Sequence, residues 1–147
     1  MENNKKLNNL YTYKNRKIYV MNNKNENSTT FNESVLFTSN KKVSKTIVVG
    51  WKEISRRYEF NDMSWLYDIK FELLNDNLTD KVICVGPDRY DIATRMKYAG
   101  FKKNQIKIYD NLESARDMIK NKSRGDIFAI LNFDYVIPFN DIMEDKQ

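Results

Sequence analysis

From residue 43 onward, short apolar runs alternate with segments of helical character. Residues 46–49 (TIVV), 81–85 (KVICV), 105–109 (QIKIY) and 126–131 (DIFAIL) are strand-like runs. The first is closed by Gly50 and the second by Gly86-Pro87. A run apolar at nearly every position, rather than at every second one, marks a strand buried on both faces. Between the runs lie helical stretches with recognisable ends. The segment 63–74 is predicted as a helix, with Asn61, Asp62 and Ser64 offering caps. The segment 89–98 follows Asp88 as a cap and stops at Gly100. The segment 112–122 follows Asp110 and Asn111 and is closed by polar residues and Gly125. Residues 137–143 form a last short helix. Upstream the pattern is weaker: a short strand at 17–21 (KIYVM), a polar loop at 22–30, and a short helix at 31–37. Residues 1–16, rich in Asn and Lys, read as a mobile polar arm. That leaves 17–147 as a single domain.

Strands alternating with helices through short loops predict an α/β fold: a Rossmann-like parallel sheet of about four to six strands flanked by helices. Crossovers of one hand bring all the strand carboxyl ends to one edge, where such sheets carry their sites. The segments just past those ends are 50–52, 86–89, 110–111 and 132–134.

Composition narrows the chemistry. The chain of 147 residues has no histidine and one cysteine, Cys84. Ser-His or Cys-His catalysis within the chain, His-ligated metals, internal disulfides and Cys-cluster metal sites are all excluded. With 4 Gly and no GxGxxG or GxxxxGK[ST], there is no Gly-rich phosphate cradle. The formal charge of +5 comes from 25 basic against 20 acidic residues of mixed order, so nucleic acid is not the expected partner. No apolar run reaches membrane-spanning length, and the polar start lacks a secretory core, so a cytoplasmic protein is expected. Cys84, mid-run among apolar residues, is expected to pack in the core.

On a helix over 63–74, Leu66, Ile69 and Leu73 would form the core stripe. Trp65, Asp68 and Glu72 fall on the adjacent stripe, an aromatic and two carboxylates suited to docking. Trp65 fits either an interface anchor or core packing, and Asp68 either a functional or a plainly solvated carboxylate. Asp62 fits a helix cap as well as a functional group. Arg89, Asp91 and Arg95 open a helix after a strand and suit an anion, a phosphate or a peptide carboxylate; Asp91 and Arg95 equally suit an i,i+4 ion pair.

Two stretches carry a resemblance. NDMSWLYDIKFELL at 61–74 and VGPDRYDIATRMKYAGF at 85–101 together resemble the C-terminal domain of MurT, the Mur-ligase-like subunit of lipid II isoglutaminyl synthase. The first stretch matches that family's D-x-S-W-[IL]-[WY]-D and F-E through Asp62, Ser64, Trp65, Tyr67, Asp68, Phe71 and Glu72. The second matches its G-x-R-x-x-D/E-[IM]-A-x-R block through Arg89, Asp91, Ala93, Arg95, Lys97, Tyr98 and Gly100. Phe31-Asn32-Glu33 echoes a third motif, N-P-A-G-F-N-E, without its Pro and Gly. Lys70 stands where many relatives have Asp.

The resemblance implies a Mur ligase C-terminal-domain-like fold and a place beside a GatD-like glutaminase subunit that amidates D-glutamate in lipid II. In that family a MurT carboxylate completes the partner's Cys-His pair. The motif alignment favours Asp68 for it, with Asp62 the alternative, and Trp65, Tyr67 and Glu72 for docking. The family's P-loop and zinc ribbon are not in this sequence, so the chain is expected to need no cofactor and to catalyse nothing alone. A separate Mur-ligase-like chain is a second expected partner. The competing expectation is a non-catalytic protein- or anion-binding α/β module derived from that domain.

Overall fold

A computed structural model describes residues 7–23, 28–51 and 64–144. They form a six-stranded sheet in the order β1-β2-β6-β3-β4-β5, with β1 Leu7–Tyr13, β2 Arg16–Asn23, β3 Lys45–Gly50, β4 Thr79–Val85, β5 Ile106–Tyr109 and β6 Asp126–Asn132. All neighbours run parallel except β1, which is antiparallel to β2. The helices are α1 Ser28–Asn40, α2 Arg89–Tyr98, α3 Leu112–Asn121 and α4 Phe133–Met143.

The apolar runs are explained by the two faces of the sheet. Ile47, Val49, Val82, Cys84, Phe128 and Ile130 enter one core, covered by α1 and α2. Their neighbours Val48, Ile83, Val85, Ile127, Ala129 and Leu131 enter a second core, covered by α3 and α4. Successive side chains alternate between faces, so a strand with a core on each side has no solvent-facing positions to fill. The connections β2-α1-β3 and β4-α2-β5 move along the sheet in one direction over the first face. The return, β5-α3-β6, crosses over the second. Connections of a single hand require this arrangement.

Two expectations are corrected. Of the polar arm 1–16, residues Leu7–Tyr13 are a strand, joined to β2 by a two-residue turn at Lys14 and Asn15, both with positive φ. That turn twists with the strands it links. Tyr13 is buried in the second core and the Tyr11 hydroxyl donates to Asn140 Oδ1 on α4 at 2.6 Å, so the aromatic residues hold the strand down. The second correction is the helix over 63–74. The described part is two short 3-10 turns, Ser64–Asp68 and Phe71–Leu74. Its buried residues are Leu66, Ile69, Phe71 and Leu74, while Leu73 is 48% exposed.

Bounds shift too: β2 runs on to Asn23 and α1 starts at Ser28, both inside the expected loop 22–30, and α4 starts at Phe133 rather than at 137. The ends of α2 and α3 follow the sequence more closely. Asn111 caps α3, accepting from Ser114 N–H at 2.9 Å. At the end of α2, Gly100 takes φ +101, Gly100 N–H donates to Lys97 O and Phe101 N–H to Met96 O, both near 3 Å. This is a Schellman closure, and the left-handed residue it needs is the glycine.

Replacing Ile83 or Ile130, both fully buried, with Ala is expected to destabilise the fold by roughly 2–5 kcal/mol, read from urea unfolding. Burial also pushes the Cys84 thiol up to about 12. Alkylation of Cys84 by iodoacetamide at pH 8 should therefore proceed only through unfolding, its rate rising with urea in step with the unfolded fraction.

Candidate functional site

The site is built around residues 64–74, which lie on the α1/α2 face near the carboxyl end of β3. Three aromatic rings join the segment to that edge. Trp65 lies 5.3 Å from Trp51, the first residue after β3, and 5.6 Å from Phe31 on α1; Phe31 and Trp51 are 5.5 Å apart, edge to face. Phe31 and Trp51 are fully buried and Trp65 is half-buried against them. The Trp51 indole N–H donates to Asp88 Oδ2 at 2.6 Å. Asp88 occupies the cap position of α2, as the sequence predicts, but its side chain is turned to Trp51 and makes no capping bond.

Arg95 is the centre of the arrangement. It is 2% exposed, on the buried stripe of α2 with Ile92 and Met96. Its Nε donates to Leu66 O at 2.9 Å, and its Nη2 donates to Ile69 O at 2.6 Å and to Glu72 Oε1 at 2.9 Å. The guanidinium carbon sits 5.2 Å from the Tyr67 ring centre and 5.4 Å from that of Phe71. Nη1 is buried with no hydrogen-bond partner among the described residues. Ring contacts offset part of the cost of burying that cation.

A second side chain holds the same segment from the other helix. Asn32 of α1 donates through Nδ2 to Asp68 O at 2.9 Å and accepts from Lys70 N–H through Oδ1 at 2.7 Å. These bonds explain why the segment is not an α-helix. In an α-helix Lys70 N–H would bond to Leu66 O. Here Asn32 takes the donor, and the acceptor is shared by Arg95 and by Ile69 N–H at 3.3 Å.

The residues picked out from sequence therefore divide. Asp68 is exposed, at the end of the first turn. Tyr67 beside it is 48% exposed, its ring perpendicular to that of Tyr98 at 5.5 Å; Tyr98 is 76% exposed. Glu72 is exposed and tied to Arg95, whose hydrogen bond holds the carboxyl below its usual range. A depressed carboxyl stabilises the fold at neutral pH, and that contribution is lost as pH falls through the folded value; solvent screening keeps it small. Asp62 lies outside the described residues. Arg89 is turned to its own neighbourhood, donating to Gly86 O at 3.0 Å, pairing with Asp110 at 3.1 Å and lying over the Tyr90 ring. Asp91 is exposed, and the carboxylate that meets Arg95 is that of Glu72 rather than of Asp91. The set Arg89, Asp91 and Arg95 is thus not brought together around an anion. No group of three metal-ligating side chains occurs among the described residues, and no described helix is long and apolar enough to cross a membrane.

The sequence places Asn32 in the Phe31-Asn32-Glu33 echo and Trp51 just past a strand end, but gives neither a task there. Asn32 follows the buried Phe31 at the start of α1, which places it at the rim of the core. Arg95 was seen but misread. Its place among Ile92, Met96 and Ala99 was the available signal, because a cation on a core stripe must find partners indoors.

Arg95→Met keeps much of the volume but removes every donor. It is expected to destabilise by roughly 2–4 kcal/mol, Arg95→Lys to recover less than half of that, and Glu72→Gln to cost under about 1 kcal/mol, compared by urea midpoints at equal slope.

The chain matches the family model described as "MurT ligase C-terminal" over residues 24–135. It is 23% identical over 86 residues to the MurT subunit of lipid II isoglutaminyl synthase (glutamine-hydrolyzing) from Streptococcus pneumoniae, spanning 58% of this chain and 19% of that protein. Among solved structures it resembles two from Acinetobacter baumannii. One is the UDP-N-acetylmuramoylalanyl-D-glutamyl-2,6-diaminopimelate–D-alanyl-D-alanyl ligase, with TM-score 0.61 and 15% identity over 93% of this chain and 28% of that one. The other is MurF, with TM-score 0.64 and 16% identity over 98% and 31%. The fold is that of these ligases' corresponding portion, and the chain spans under a third of each relative's length. With the family model covering both central motifs, the Asn32 region and all strands from β3 to β6, the chain belongs to the MurT ligase C-terminal family.

Proposed function

We propose that this domain works as the partner of a GatD-like glutaminase in amidating the D-glutamate of lipid II, with Asp68 completing the glutaminase's catalytic group. The observation that carries the reading is the setting of Asp68: an exposed carboxylate on a turn whose main chain is tied to both flanking helices, with the exposed Tyr67 ring next to it. Family membership supplies the context. The chain has no histidine, so its carboxylate would act on the imidazole of another subunit.

The chemistry follows from the groups. A glutaminase cysteine thiolate attacks the side-chain amide carbon of glutamine. Its histidine passes a proton to the departing ammonia and then takes one from the water that frees glutamate. A carboxylate accepting the other imidazole N–H holds the tautomer and stabilises the imidazolium between these steps. Ligation of the released ammonia needs an activated carboxyl group and ATP, and belongs to a Mur-ligase-like chain. On this reading the domain works in the cytoplasm, and alone it turns over neither glutamine nor ATP. Arg89 and Arg95 are both engaged internally, which disfavours the anion-binding alternative over a protein-binding one.

The test titrates the purified chain into the GatD-like glutaminase of its own organism and follows glutamate release. Asp68→Asn should leave folding and binding intact and lower turnover by about 10³–10⁴-fold, the scale for a triad whose orienting carboxylate is neutralised. Trp65→Ala, which removes a half-buried ring, should weaken assembly instead. Normal turnover with Asp68→Asn sinks the assignment. Absence of any complex transfers the domain to the non-catalytic, protein-binding reading.

A further inference from the structure

The Asn32 side chain touches the segment 64–74 twice and does so around Asp68. Its Nδ2 donates to the carbonyl of Asp68 itself, and its Oδ1 accepts the N–H of Lys70. The two bonds bracket the peptide between Asp68 and Ile69 and the one that follows. An amide is the side chain suited to this, with one donor and one acceptor held side by side in a plane. Turning it over would set oxygen against oxygen and N–H against N–H, so the pair of contacts also fixes which way the amide faces. The amide is anchored at its base. The preceding residue, Phe31, is buried against Trp51 and Trp65, so the first turn of α1 cannot swing away without opening the core. Ile69, on the far side of the Asp68 carbonyl, is buried, and its own carbonyl is taken by Arg95. The main chain at Asp68 is therefore held between two helices, while its carboxylate stays in solvent.

We infer that Asn32 is a positioning residue for Asp68, setting the direction in which the carboxylate is presented to a partner's imidazole. This rests on the proposed role of Asp68. An orienting carboxylate must meet an imidazole N–H at hydrogen-bond distance and in its plane. Misplacement by about 1 Å can cost about 10²-fold in rate. An exposed turn of two 3-10 segments has few bonds of its own to hold that tolerance. Asn32 supplies two more.

The experiment compares the wild-type chain with Asn32→Ala, Asn32→Asp and Asp68→Asn, each added to the same glutaminase. Asn32→Ala should lower kcat roughly 10–100-fold, with KM for glutamine and the dissociation constant of the complex within about twofold of wild type. Asn32→Asp keeps an acceptor for Lys70 N–H but sets an oxygen against the Asp68 carbonyl, so it should recover little of the lost kcat. Hydrogen exchange of the Lys70 amide in the isolated chain gives an arm independent of any partner. It should quicken at least tenfold in Asn32→Ala and by less in Asn32→Asp, which keeps the acceptor alone. Unchanged kcat with Asn32→Ala, in a complex that Asp68→Asn does disable, overturns the inference while leaving the role of Asp68 standing. Normal turnover with Asp68→Asn removes that role, and the positioning of it by Asn32 with it. An unchanged Lys70 exchange rate overturns the clamp whichever way turnover comes out.

Discussion

A single buried cation, Arg95, decides how one side of this domain is assembled. Burying a guanidinium is unfavourable unless its donors are met, and here Nε and Nη2 are met by two main-chain carbonyls and the Glu72 carboxylate of a segment that forms no α-helix. The exchange works for both parties. The segment 64–74 gains a second donor at Leu66 O and Ile69 O, each of which also accepts one of its own N–H groups. The arginine gains a polar lining inside an apolar face. Because the cation rises from α2 while Asn32 rises from α1, the segment is stapled across both helices of the first core. Trp65 docks beside Trp51 as part of the same closure.

Much of the architecture was legible in the sequence because double burial leaves a plain trace. Strands β3, β4 and β6 each carry an unbroken apolar run, at 47–49, 82–85 and 127–131, and Gly100 and Asn111 mark helix ends through requirements that are purely local. The first strand was hidden for the opposite reason. Its residues are Asn- and Tyr-rich, and what fixes it is a hairpin with β2 together with the non-local reach of Tyr11 to Asn140, which is 129 residues away. A polar strand of that kind looks like a tail until its partner is known.

The segment 64–74 was misread for a deeper reason. Its apolar residues fit a helical period, and a period-based reading assumes that the backbone satisfies itself. Here short-range main-chain bonds and side chains of two other elements share the backbone groups, and Phe71 and Leu74 turn inward and Leu73 outward. The motif alignment found the right stretch without the right conformation. It also grouped Arg89, Asp91 and Arg95 by their closeness in sequence, whereas the fold sends them to different tasks: one to Gly86 and Asp110, one to solvent, and one to the interior. Charge type was readable at each position; direction was not.

A segment tethered by its main chain has an unusual freedom. The ties from Arg95 and Asn32 fall chiefly on carbonyls and an amide, groups common to every residue but proline. The side chains at 68, 70 and 73 face outward and take little part in those ties. The turn is in effect a socket for interchangeable letters. Its shape is underwritten from beneath, and its outward face can be rewritten one position at a time with little penalty to the rest of the domain. Lys70 is one such position, gripped by Asn32 through its main-chain amide and not through its side chain.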